Sequence, residues 1–163
     1  MTYEFQYFIK TINDKVQSNI EAQYNDLINS YSNIAALKTT ISLNLETIYN
    51  DNWKCTYPGN CLSELQRENI RKVILENLNK FMEKKEFHDF ILEIKQNLPS
   101  DISQFISSNN SISEGANNLD TIYLKLETKY NDKWKRTHPT NCLLAQQKED
   151  IKLVILEYLN KYG

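Results

Sequence analysis

The sequence predicts an all-α protein: two tandem pseudo-symmetric helical repeats of about 80 residues each, packed as one helical bundle-like unit. Three observations predict it. Leu45–Phe81 and Leu126–Tyr162 align without gaps, and 23 of the 37 positions are identical. So dense a match is duplication, not shared composition. Apolar residues recur at helical spacing along most of the chain. Only three glycines and three prolines occur in 163 residues, too few turn formers for a many-stranded fold.

The elements follow in order. Phe5, Phe8, Ile9, Ile12 and Val16 form one stripe, predicting a helix over 2–16. Ser18 or Asn19 can cap a second helix, with Ile20, Tyr24, Leu27, Ile28 and Tyr31 inside. Ser32 or Asn33 marks a break. A third helix is expected over 34–49, with Leu37, Ile41, Leu45, Ile48 and Tyr49 in phase. Residues 50–60 read as a connecting loop with Pro58-Gly59 as its turn. Ser63-x-x-Gln66 has capping-box spacing and opens a fourth helix.

The repeat reaches upstream more faintly: Glu4-Phe5 and Phe8-Ile9 correspond to Glu86-Phe87 and Phe90-Ile91. The expected units are therefore residues 1–82 and 83–163. No strong breaker separates Phe81 from Phe87, so the fourth helix is allowed to run on. Phe87, Phe90, Ile91, Ile94 and Leu98 form the next stripe, which Pro99 is expected to end. A short helix with Ile102 and Phe105 follows, capped by Ser100-Asp101. Residues 107–118 read as a loop. Leu119 to Tyr130 and Leu144 to Tyr162 complete the second unit, four helices being expected in the first and three to four here. Helix is also favoured for Lys152–Leu156, where the 3.6-residue period outweighs an apolar run.

Totals exclude several function classes. Nineteen basic and 21 acidic residues give a net charge of −2, and each half is balanced. Broad DNA binding rests on phosphate neutralisation by a basic excess, which is missing. No apolar run approaches a membrane span. The N-terminal MTYEFQYF has no basic head before an apolar stretch, so no signal peptide is expected. Three cysteines in an odd count fit a reducing, cytoplasmic setting.

Both copies keep Tyr-Asn-Asp-x-Trp-Lys-x-Thr-x-Pro-x-Asn-Cys-Leu, at Tyr49–Leu62 and Tyr130–Leu143. Trp53 and Trp134 are the only tryptophans, and each is expected to pin its connecting loop. The candidate binding loops are Trp53, Lys54, Pro58 and Asn60, with Trp134, Lys135, Arg136, His138, Pro139 and Asn141 in the second copy. Positioned loops are where binding tends to sit. Cys61 and Cys142 precede helix starts, where a thiol can be activated. A nucleophile needs a base; His138 lies near Cys142 in sequence, but the first copy has Tyr57 there. Both thiols are therefore expected to be small buried side chains, and no catalytic residue is assigned. Gly59, Gly115 and Gly163 cannot make a phosphate loop, and paired zinc-ligand spacing is missing; no metal or cofactor is expected.

The expected role is a non-enzymatic protein–protein interaction module, an adaptor, accessory or inhibitor protein. Its partner would be another protein. The alternative is a nucleic-acid-linked regulator using Lys129, Lys133, Lys135, Arg136 and His138 around Trp134. A thiol enzyme using Cys142 with His138 ranks third.

Overall fold

The computed structural model describes residues 2–108 and 115–162. These form five α-helices and one short 3-10 turn, with no strand among the described residues. The helices are α1 (Tyr3–Leu27), α2 (Ile34–Thr56), α3 (Glu64–Ser108), α4 (Gly115–Thr137) and α5 (Ala145–Tyr162). The chain divides into two compact units, Met1–Lys85 and Glu86–Gly163.

The first unit is built from α1, α2 and the N-terminal part of α3. Phe5, Phe8, Ile12, Val16, Ile20 and Tyr24 form the buried face of α1. They meet Leu37, Ile41, Leu45, Tyr49 and Trp53 of α2, and Ile70, Ile74, Leu78 and Met82 of α3. The second unit uses the rest of α3 with α4 and α5. Its core holds Phe87, Phe90, Ile94, Leu98, Ile102, Ile122, Leu126, Tyr130, Trp134, Ile151, Ile155 and Leu159. Each fully buried Ile, Leu or Phe contributes about 1.5–3 kcal/mol. The described buried residues form one cluster in each unit.

Several expected breaks are absent. Ser18 and Asn19 do not cap a helix, because the stripe from Phe5 to Tyr24 never loses phase. The Ser18 hydroxyl donates back to the Lys15 carbonyl, and the Asn19 amide donates to the Tyr49 hydroxyl at 2.9 Å. Helix α2 does not stop at Tyr49. The buried positions Leu37, Ile41, Leu45 and Tyr49 continue at the same spacing to Trp53, so the tryptophan closes the helix instead of sitting in a loop. Helix α3 runs unbroken through Phe81–Phe87 and also through Pro99.

A proline inside a helix costs about 3 kcal/mol, through a lost hydrogen bond and a clash with the carbonyl four residues back. Ile94, Leu98 and Ile102 lie on one stripe across Pro99 and are all buried. Burial on both sides outweighs the local penalty. Asp101, read as a cap, is instead a buried carboxylate accepting from the Tyr130 hydroxyl at 2.7 Å and the Lys129 ammonium at 2.9 Å. Of the segment 107–118 read as a loop, Ser107 and Ser108 end α3, residues 115–118 open α4, and residues 109–114 lie outside the described residues.

The Ser63–Gln66 box is where the sequence placed it, and Asn33, at the expected break, caps α2. Asn33 accepts from the Ala35 amide at 2.8 Å. Ser63 and Gln66 form a reciprocal capping box, with Gln66 Oε1 accepting from the Ser63 amide at 2.9 Å and Ser63 Oγ from the Gln66 amide at 3.2 Å. In the second unit Gln147 Oε1 accepts from the Leu144 amide at 2.9 Å. Leu144 has no hydroxyl to complete the box. No helix is long and apolar enough to cross a membrane among the described residues.

Candidate functional site

The repeated segment makes the same local structure twice. Helix α2 ends with the Tyr57 amide donating to the Trp53 carbonyl at 2.8 Å, and α4 ends with His138 donating to Trp134 at 2.7 Å. A β-turn follows with proline in its second position: Asn60 donates to the Tyr57 carbonyl at 3.0 Å, and Asn141 to that of His138 at 3.1 Å. Proline there presets the turn. No described residue has positive φ, so Thr140 can stand where the first copy has Gly59.

The tryptophans then reach across their own turns. Trp53 Nε1 donates to the Asn60 carbonyl at 2.6 Å, and Trp134 Nε1 to the Asn141 carbonyl at 2.8 Å. Each indole is held from below by two phenylalanines. Phe5 and Phe8 meet Trp53 edge-on at 5.7 and 5.2 Å, and Phe87 and Phe90 meet Trp134 at 5.7 and 5.1 Å. Such edge contacts add about 0.5–1.5 kcal/mol beyond burial. Leu62 and Leu143 pack back onto the cores. The loop is thereby tied to its unit at both ends.

Beside each tryptophan lies a hollow, of about 410 Å³ in the first unit and about 240 Å³ in the second. Trp53, Lys54, Pro58 and Asn60 all line the first. Trp134, Lys135, His138, Pro139 and Asn141 line the second. Of the candidate loop residues only Arg136 is outside, exposed at the end of α4.

The hollows also take residues that the sequence reading did not single out. Asn50 and Asn131, repeat equivalents within α2 and α4, form part of the two walls. Among the described residues, the Oδ1 atom of each is buried without a hydrogen-bond partner. A buried unsatisfied acceptor costs about 1–3 kcal/mol, and asparagine is a poor interior helix residue. Both costs recur at the same place in both copies. Arg67 and Lys148, also equivalents, add a cation to each hollow. The available signal was the Asn-Asp pair repeated inside a helical period.

Cys61 and Cys142 are exposed rather than buried, and Cys55 is exposed and free. The short turn points Leu62 and Leu143 inward and leaves the preceding thiols outside. The ring nitrogens of His138 are engaged elsewhere. Nδ1 lies 2.8 Å from the Thr137 hydroxyl, and Nε2 is 3.7 Å from the Glu86 carboxylate. The ring stacks on Trp134 at 3.8 Å. No hydrogen bond joins it to Cys142 among the described residues.

The basic cluster around Trp134 is largely occupied. Lys129 pairs with Asp101, Lys133 with Glu93, and His138 faces Glu86. Only Lys135 and Arg136 are left without an ion pair among the described residues. No group of three or more His, Cys, Asp or Glu side chains could hold a metal ion among them. Comparison with protein-family models, curated proteins and solved structures gives no match.

Proposed function

We propose that the chain is a non-enzymatic protein-interaction module, made by duplication of one helical unit, that offers its two tryptophan-locked loops to a protein partner. The observation that carries this reading is the doubled hollow. Residues exposed in both copies are identical along with the cores: Lys54 and Lys135, Pro58 and Pro139, Cys61 and Cys142. Core packing asks nothing of an exposed lysine. A loop fixed at both ends also loses little freedom on binding, which favours affinity.

The nucleic-acid alternative has weaker support, because three of its five cations already face carboxylates on α3. The thiol-enzyme alternative has weaker support, because His138 faces Thr137 and Glu86 and no hydrogen bond joins it to Cys142 among the described residues.

The test uses the exposed thiols. With Cys55 replaced by serine, a photoactivatable crosslinker is attached at Cys61 and Cys142 of the full chain. Irradiation in source-cell extract should join it to a protein of discrete mass, and excess unlabelled chain should compete. No competable adduct at low or high salt would overturn the reading.

A further inference from the structure

We infer that each hollow receives an acidic segment of the partner, with a carboxylate over two cations that have no ion pair among the described residues and an apolar side chain against the proline and leucine beside the buried indole. This rests on the reading of the loops as interaction sites and names the chemistry they recognise.

The cations carry the inference. Lys54 and Arg67 line the first hollow, and their repeat equivalents Lys135 and Lys148 line the second. All four are exposed, and none of their side chains has an ion pair or hydrogen bond among the described residues. Arg71, which also lines the first hollow, is by contrast taken up by Glu46, Glu64 and Glu68. Two cations without an ion pair among the described residues thus recur at matching places in both hollows. The loops lead directly into α3 and α5, whose N-terminal ends are the positive ends of their helix dipoles. Among polar neighbours such as Asn50 and Asn131, the wall also holds Pro58 and Leu62 in the first hollow and Pro139 and Leu143 in the second, which suits an apolar body beside the charge.

The two hollows are unequal. In the first, the Glu46 carboxylate is neutralised by Arg71 at 2.9 Å. In the second, Asp132 lines the wall and has no ion pair among the described residues. It offsets one of the two lysines. The first hollow therefore binds the acidic segment more tightly.

The probe is a set of N-acetylated octapeptides with a central Phe flanked by Glu, Gln or Lys, titrated onto the full chain. Tryptophan emission reports the two hollows directly, since Trp53 and Trp134 are the only tryptophans and line one each. Glu-flanked peptides should bind at two sites of different strength and weaken with salt. The pairs Lys54→Glu with Arg67→Glu, and Lys135→Glu with Lys148→Glu, should each weaken one site roughly tenfold. The residues are exposed, so unchanged helical circular dichroism is expected and checked. Equal binding of Gln or Lys peptides, no peptide binding, or indifference to the variants overturns the assignment. So does a 20-base-pair duplex that displaces the Glu peptide at low salt, which would make phosphate the ligand. If the Cys61 and Cys142 crosslinks persist while the Glu preference is missing, the loops still bind protein and only the acidic assignment falls. Loss of both removes the underlying reading.

Discussion

The Tyr130 hydroxyl donates to the Asp101 carboxylate at 2.7 Å, while its repeat equivalent Tyr49 accepts from the Asn19 amide at 2.9 Å. The same buried tyrosine is thus satisfied by a charge in one unit and by an amide in the other. Burial, then the neighbouring carboxylate, raises the Tyr130 pKa well above the usual tyrosine range; burial raises that of Tyr49, opposed by the Asn19 hydrogen bond. A raised folded-state pKa holds stability below the unfolded value and loses it as pH climbs past that value. Unfolding free energy should therefore be flat to about pH 9 and fall above about pH 10. Tyr130→Phe should cost about 1–3 kcal/mol near neutral pH, by leaving Asp101 short of a donor, yet shallow the alkaline fall. Urea melts across this range check both.

Removing only the indole N–H tests the loop lock. Trp53→Phe and Trp134→Phe keep an aromatic in each core but leave the Asn60 and Asn141 carbonyls without that donor. Each should lose about 2 kcal/mol, combining a hydrogen bond with a small void. Limited proteolysis should then cut near Pro58 or Pro139, in the unit carrying the change.

Pro99→Ala should stabilise the chain by about 1–3 kcal/mol, since alanine restores an amide donor to the Lys95 carbonyl and removes the ring clash. A higher thermal midpoint is the expected readout. A lower one would mean that a bend at this position is needed to bury Leu98 and Ile102 together.

All three cysteines are exposed. A colourimetric thiol reagent should titrate as many thiols in the native chain as in urea. Slow reaction at Cys61 or Cys142 would place those side chains inside.

Much of this fold is legible in the sequence, and the failures share a cause. The stripes, the Asn33 cap and the Ser63–Gln66 box are local patterns that tertiary packing left undisturbed. Ser18-Asn19 and Pro99 are also local patterns, but they lie within unbroken buried stripes, and burial along a whole helix outweighs one capping preference or one proline. The sequence predicts a loop over residues 50–60 that includes Trp53, with Pro58-Gly59 as its turn signal. The uniform four-residue spacing from Leu37 to Trp53 shows otherwise once counted through. Of the site, the paired loops are legible and the exposed thiols are not, since a segment of seven residues between helices carries no period from which to tell inside from outside. The buried Asn50 and Asn131 oxygens cannot be seen without coordinates.

The central claim is that both units carry the same tryptophan-locked loop. Only two indole N–H groups exist, so a proton–nitrogen correlation spectrum shows them as two resolved signals. Followed after transfer to heavy water, both should exchange far more slowly than free indole, because Trp53 is bonded to Asn60 and Trp134 to Asn141. An indole exchanging at the free rate in either unit would contradict the account.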